Sequence, residues 1–415
     1  KFGAGDCEQR YFMIVSAMRS VGLPVAIDFS FQWNHWPGHH SWVTLICKDK
    51  IVPFNAGEYY DKMPENSIAP IGQGSSSTVF RNCFDKQVNV PMVIENSEYS
   101  VPENFRNANI KNVSKEYAYP QTALMPDLKN VDDERTLYLG CFEKGETIVA
   151  IDYKLSEQDS FASIGKCGVY VPFYFKNNKQ EFASQPFVVA CDGDGNWIRF
   201  CEPNLSEKET VVLTRKFPVQ DSMTLFSKSM IGARFEVSNN KNFSNAKVIY
   251  TVVDAPSYFV DVSVSNPVKC RYVRYVSSDT GRVNIAEMEF HDNDKKLSGQ
   301  VFGNTKTTEK NMFDGDIRTN YTAPAGSWAA LDLGKEQLIT KIKFLPRNNF
   351  NIIEPGDIYE LFYFDLGWKS LGIQKAESSK LTFSAPKKAL LLLKNLTKGK
   401  EERIFLYENN NQIFW

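Results

Sequence analysis

Cys7-Glu8-Gln9-Arg10-Tyr11-Phe12-Met13-Ile14-Val15-Ser16-Ala17-Met18-Arg19-Ser20-Val21 and, after Gly22-Leu23-Pro24, Val25-Ala26-Ile27-Asp28-Phe29-Ser30-Phe31-Gln32-Trp33 are the stretch that decides the fold. In its first part Tyr11, Ile14, Val15, Met18 and Val21 recur at three- and four-residue spacing, which predicts a helix over 7–21 with one apolar stripe. Asp6 is a suitable N-cap, and Gly22 followed by Pro24 is a stop signal. In the second part Val25, Ile27, Phe29, Phe31 and Trp33 alternate, the mark of a strand with one buried face. Downstream, Pro37-Gly38 turns the chain within Asn34–His39. Ser41–Cys47 reads as a second strand, Lys48-Asp49-Lys50 as a tight turn and Ile51–Phe54 as a third strand. The expectation is an α+β unit, a helix packed on an antiparallel sheet.

Outward from that unit the pattern changes. Residues 64–125 carry clustered Pro, Asn, Ser and Gly, including Gly72-Gln73-Gly74-Ser75-Ser76-Ser77, and are read as irregular structure and a connection. Short β-type runs then return at Thr136–Phe142, Thr147–Asp152, Gly168–Phe175, Phe187–Cys191 and Trp197–Phe200, separated by turns such as Asn177-Asn178, which predicts a β-sandwich over 126–213. The last two hundred residues hold a faint echo. Ala233–Val237 precedes a loop and Val248–Val253, as Ile358–Phe362 precedes a loop and Trp368–Leu371. Arg271–Val276 and Ala389–Lys394 read as later strands of the two copies. Two further sandwiches are expected, over 214–298 and 299–415.

Bulk properties fit this multidomain, mostly-β reading. The chain has 415 residues, too many for one ordinary domain. With 42% hydrophobic and 23% charged residues it is well cored, and 30 Phe and 18 Tyr favour strands. A net charge of -1 recommends neither nucleic acid nor an anionic membrane as partner. No apolar run approaches the ~20 residues of a membrane span. The best candidate, Ala389–Leu393, has the length of a buried strand. Eight cysteines form neither a disulfide framework nor a CxxC zinc pair, and Cys191 and Cys201 either pair across a hairpin or stay free. Beginning at Lys1 without Met, the chain is read as a mature or trimmed form.

The chemistry concentrates near the start. Of four histidines, at 35, 39, 40 and 291, three fall within six positions. Cys7 opens the predicted helix, where free N–H groups and the dipole favour a thiolate. His40 opens a strand and Asn55 ends the next, so a tight turn brings the two ends together. Packing the helix start against that sheet edge adds Cys7. The plainer alternatives are a small buried Cys, a hydrogen-bonding structural His and a turn Asn. A further alternative is zinc on His39, His40 and Cys47. A His35/His39 metal pair is opposed by Pro37-Gly38, which breaks the helix that spacing needs.

Gly5-Asp6-Cys7 with Met18-Arg19-Ser20-Val21-Gly22-Leu23-Pro24-Val25 resembles the nucleophile helix of the transglutaminase-like superfamily, papain-like cysteine enzymes whose helix opens on Gly-x-Cys. His40-Ser41-Trp42-Val43 is similar to that family's His-Ala-Trp-Val strand. Val52-Pro53-Phe54-Asn55 is similar to its Val-Pro-x-Asp end, with Asn in place of Asp. The match covers residues 3 to about 58. It implies Cys7 as nucleophile, His40 as general base and acid, and Asn55 as the orienter of the ring, with Trp42, His39 and Trp36 at the substrate. It also implies earlier core elements, with an oxyanion donor, upstream of Lys1, and no required cofactor.

Phe313-Asp314-Gly315-Asp316-Ile317-Arg318-Thr319, Ser327-Trp328-Ala329-Ala330-Leu331-Asp332-Leu333-Gly334 and Ile339-Thr340-Lys341-Ile342 resemble a discoidin-type, galactose-binding-like domain, with Trp368 on its central strand. Asn284–Phe290 resembles the closing strand of another copy. This resemblance implies carbohydrate binding and a structural calcium held by Asp314, Asp316 and Thr319; an Asx-capped turn is the alternative. Together the two resemblances imply an extracytoplasmic cysteine enzyme, cell-surface or secreted. It would act on an amide in a peptide, glycopeptide or cell-wall substrate as peptidase, amidase or acyltransferase, with β modules that hold glycan. The alternative is a non-catalytic carbohydrate- or protein-binding surface protein on the same scaffold.

Overall fold

The computed structural model describes residues 7–33, 38–54, 78–95, 100–117, 135–154, 165, 168–189, 198–399 and 402–415. The chain is mostly β, with several sheets and little helix. It divides into two units: residues 1–213 with 356–376 and 381–415, and residues 214–355 with 377–380. No helix among the described residues is long and apolar enough to cross a membrane.

In the first unit, helix α1 (Cys7–Ser20) ends where Gly22 takes φ +82. Gly22 N–H donates to Arg19 O and Leu23 N–H to Met18 O, the paired bonds of a Schellman stop. The Arg19 guanidinium then donates twice to Val25 O, at 3.0 and 2.7 Å, and fixes the entry into the first strand. Tyr11 and Val15 are buried, and with Ile14 and Met18 they pack on Val25, Ile27, Val43, Leu45 and Phe54. Val21 falls outside that stripe and is exposed, since the helix has stopped before it.

Strands β1 (Val25–Ser30), β2 (His40–Ile46), β3 (Ile51–Phe54), β4 (Phe80–Asn82) and β5 (Ile110–Asn112) form an antiparallel sheet in the order β3-β2-β1-β4-β5. The first three lie where the sequence placed them, but β1 is not buried on the expected face alone: Ala26, Asp28 and Ser30 are buried, whereas Ile27 and Phe29 of the expected apolar face are half-buried. The region read as irregular supplies β4 and β5, which complete the sheet; at three residues each they are too short to show alternation.

A second sheet in this unit comprises β6 (Leu137–Phe142), β7 (Ile148–Lys154), β8 (Gly168–Lys176), β9 (Lys179–Phe182), β10 (Phe187–Val189) and β11 (Ile198–Phe200). Leu137, Leu139 and Cys141 face one side, with Ile151, Tyr170 and Phe187. On the other side Tyr138 and Phe173 pack on Phe80 and Phe105, next to the first sheet. Strand β12 (Asn204–Leu213) follows.

The second unit carries a helix at Asp221–Lys228 and strands β13 (Arg234–Ser238), β14 (Lys247–Thr251), β15 (Val260–Val276), β16 (Val283–Asp292), β17 (Lys295–Lys296), β18 (Gln300–Gly303), β19 (Tyr321–Ala323) and β20 (Trp328–Pro346). The long strands β15 and β20 pair antiparallel along their whole length, with register shifts that bend them. At one end their neighbours are β13 and β18, at the other β16, and the sheet wraps a single core that includes Phe235, Tyr275, Met288, Ile342 and Phe344. The boundary expected after 298 falls inside this sheet, because β16 pairs with β20 across it.

The chain returns to the first unit with β21 (Ile358–Phe364), β22 (Trp368–Lys375), β23 (Leu381–Lys387), β24 (Leu391–Asn395), β25 (Ile404–Glu408) and β26 (Asn411–Phe414). Phe364, Leu390, Ile404 and Leu406 pack against Phe142, Val169, Val171 and Val188, closing a sandwich on the second sheet, while β12 pairs with β23. The sequence echo has a structural counterpart. β13 lies between β14 and β15 as β21 lies between β22 and β24, so the same three-strand arrangement occurs twice, once in each unit.

Candidate active site

Position 7 is the first residue of α1, and position 11 is one helical turn further along the same face. Asn55, Trp36 and His35 lie outside the described residues, as do Asp6 and Cys191. His40 is therefore the one member of the expected triad whose side chain can be followed. It opens β2 opposite Ser30 of β1. Three aromatic rings surround its imidazole: Trp33 at 5.4 Å and tilted 33°, Trp42 at 6.0 Å, and Tyr11 at 6.3 Å and edge-on. Tyr11 thus ties the first turns of α1 to the start of β2.

Trp42 corrects an expectation. It was expected at the substrate, but it is wholly buried, and its indole N–H donates to the Tyr117 hydroxyl at 2.7 Å. The Tyr117 hydroxyl donates its one proton to Asp28 Oδ2 at 2.5 Å, so Thr44 must be the donor in their 2.8 Å bond. Burial first, and then the Asp28 charge, push the Tyr117 hydroxyl well above the usual tyrosine range. Asp28 is wholly buried and lies between Trp42 and Arg81 in one cross-strand row. Arg81 grips it with two parallel bonds of 2.7 and 2.8 Å and also meets Glu116 at 2.8 Å. The signal for this network was Asp28, a carboxylate inside an apolar strand; its partners Arg81 and Tyr117 are too distant in sequence to be paired by inspection.

His39 is exposed beside the strand start. The zinc alternative fails on distance. His40 and Cys47 are separated by the length of an extended strand, about 23 Å, whereas ligands of one zinc ion lie within a few ångströms of each other. No group of three or more candidate ligands occurs among the described residues.

In the second unit the Asp314–Thr319 turn is internally satisfied. Asp314 Oδ1 accepts from Asp316 N–H at 2.8 Å and Oδ2 from the Thr319 hydroxyl at 2.8 Å. Asp316 accepts two bonds from Arg318, of 2.7 and 2.9 Å. Glu287 of β16, which sequence reading placed only as a strand residue, lies beside Asp314. It is buried, with the Asp314 carboxyl and the Gly315 backbone as its polar neighbours. Burial first, then Asp314, push its carboxyl up to about 8. On the outer face of the same unit, Arg274 lies 4.2 Å over the Phe243 ring and 5.4 Å over Trp328, which meets Phe302 edge-on. Glu236 holds the guanidinium with bonds of 2.8 and 2.6 Å. Trp328 and Phe302 are half-buried and leave part of an aromatic surface open.

No protein-family model, curated protein or solved structure matches this chain.

Proposed function

We propose that the chain is a transglutaminase-like cysteine enzyme acting on amide bonds. The observation that carries this reading is the edge-on contact of Tyr11 with His40, which joins the helix that begins at Cys7 to the strand that begins at His40. In this reading the Cys7 thiolate attacks the amide carbonyl, and the C–N bond breaks as the His40 imidazolium gives its proton to the departing amine. The resulting thioester is resolved by water or by a second amine whose proton passes to His40, and Asn55 holds the ring in one orientation. Water gives a peptidase or amidase, an amine gives acyl transfer. The substrate class is a peptide, glycopeptide or cell-wall amide outside the cytoplasm.

The β modules would hold the enzyme on its substrate. Calcium, if bound, would be structural, with Glu287 and Asp314 as its carboxylates; the close approach of these two carboxyls supports this. The second reading, a non-catalytic carbohydrate-binding surface protein, draws on the open aromatic surface at Trp328 and Phe302, since such faces stack on sugars.

Timed alkylation with iodoacetamide, mapped by mass spectrometry, tests the enzyme reading. Cys7 should react far faster than the exposed Cys47 at pH 6–7, and His40→Ala should abolish the difference. Equal rates at the two cysteines would sink the catalytic reading and leave the binding one.

A further inference from the structure

The imidazole that the proposed reaction depends on is held by a clamp one strand away. Just beyond the end of β1 and just before the start of β2, the chain is fastened at Trp33 and Gly38. Trp33 N–H donates to Gly38 O at 3.3 Å. Gln32, whose side chain is entirely buried, sits under this closure. Its amide nitrogen donates to Trp33 O at 2.8 Å, and its amide oxygen accepts from Gly38 N–H at 3.3 Å. Its own backbone carbonyl accepts from the buried Ser30 hydroxyl at 2.9 Å. One side chain thus bonds both Trp33 and Gly38, and Gly38 stands two residues before His40.

A buried primary amide is expensive unless both of its ends are satisfied, so its retention at this position calls for a reason. The reason the geometry offers is Trp33. With its backbone pinned by Gln32 and Gly38, the Trp33 indole lies over the His40 ring at 5.4 Å. Tyr11 and Trp42 also lie near the ring, at 6.3 and 6.0 Å, but each belongs to an element set independently, α1 or the strand itself. Trp33 alone of the three depends on the clamp.

We infer that Gln32 is a positioning residue that sets the His40 imidazole through Trp33. Its role runs through Trp33, not through contact with the reacting atoms. The inference rests on the cysteine-enzyme reading for its consequence in catalysis, but the placement of the ring can be read without any reaction.

The experiment uses the full chain carrying isotopically labelled histidine, whose four residues give few resonances, with His40 assigned from His40→Ala. Three variants are compared with wild type: Gln32→Met, which keeps the bulk and removes both amide bonds; Trp33→Leu; and Trp33→Phe, which keeps a ring on a half-buried site. In wild type the His40 ring proton should be displaced upfield by the neighbouring indoles. Trp33→Leu should remove the share of that displacement due to Trp33 and leave the share due to Trp42, Trp33→Phe should keep most of the Trp33 share, and Gln32→Met should lose most of it with Trp33 still present. In parallel, the iodoacetamide rate at Cys7 should fall about tenfold or more in Gln32→Met and Trp33→Leu, toward that of His40→Ala, with recovery in Trp33→Phe. Its pH profile should move toward that of a free thiol. A Gln32→Met protein whose His40 resonance and Cys7 rate both stay at wild-type values overturns the inference. If Cys7 is unreactive in wild type, the enzyme reading fails. The ring displacement and its response to Gln32→Met then still decide whether the clamp positions the imidazole.

Discussion

Arg81→Met should destabilise the first unit far more than loss of an ordinary surface ion pair would. Asp28 is wholly buried, and Arg81 is its only cationic partner among the described contacts, gripping both carboxylate oxygens. The substitution leaves a carboxylate in the interior with the Tyr117 hydroxyl as remaining donor. Breaking a buried pair in this way costs about 3–5 kcal/mol, chiefly because the stranded charge has lost its water and gained nothing in return. Glu116, the second partner of Arg81, is partly exposed and adds less than about 1 kcal/mol. The double variant Asp28→Asn/Arg81→Met removes the charge as well as its partner and should recover about 1–3 kcal/mol of the loss. Urea unfolding followed by tryptophan fluorescence reads both effects, since Trp42 is buried in the same network. A loss below about 1 kcal/mol for Arg81→Met, or no recovery in the double variant, would refute the reasoning and show that the row across β2, β1 and β4 carries no buried charge.

Three further outcomes are expected. Burial pushes the thiols of Cys141, Cys201 and Cys270 up to about 12, so all three should resist alkylation in the native protein at pH 8 while Cys47 reacts. Because these folded-state values lie above the ordinary thiol value of 9.0, their contribution to stability is complete below pH 9 and is lost as pH rises toward 12; mass spectrometry and denaturation at pH 8–11 check both. A methyl group at Gly281 would lie 1.9 Å from the Ser229 carbonyl oxygen, so Gly281→Ala should cost about 1–3 kcal/mol by forcing backbone apart, seen as a lower transition in calorimetry. On the proposal that Glu287 and Asp314 bind calcium, millimolar calcium should raise the melting temperature of wild type and leave Glu287→Gln unchanged.

What the sequence disclosed depended on how local each feature is. Helix α1 and strands β1–β3 were legible because their periodicity, stop signal and turn lie within about fifty consecutive residues. The strand at Leu391–Asn395 was legible for the same reason, as a short run of apolar residues that turns out to be buried throughout. β4 and β5 escaped because three residues cannot establish a period. The division of the chain escaped for a different reason. Each three-strand echo looks like the mark of its own module, yet β13–β15 share a core with β18–β20, which follow the expected boundary, and β21–β26 close against β6–β11. Periodicity locates a strand but carries no information on which distant strand covers it, and in β1 it missed that the face bearing Asp28 and Ser30 is wholly buried.

The same limit governs the candidate site. His40 and the helix start at Cys7 could be singled out by residue type and position. Trp42 was placed at the substrate through the family resemblance, whereas the cross-strand register sets it opposite Asp28 in the interior. Gln32 gave no signal, since a glutamine at the end of an alternating strand reads as an ordinary exposed residue. Only the return of the chain at Gly38 gives its amide a partner on each side. Around His40, the residues proposed to carry the chemistry and the rings beside it could be named from sequence, and Gln32, proposed to hold Trp33, became visible only in the fold. A test confined to Cys7 and His40 would therefore miss the part of the site that the three-dimensional structure adds.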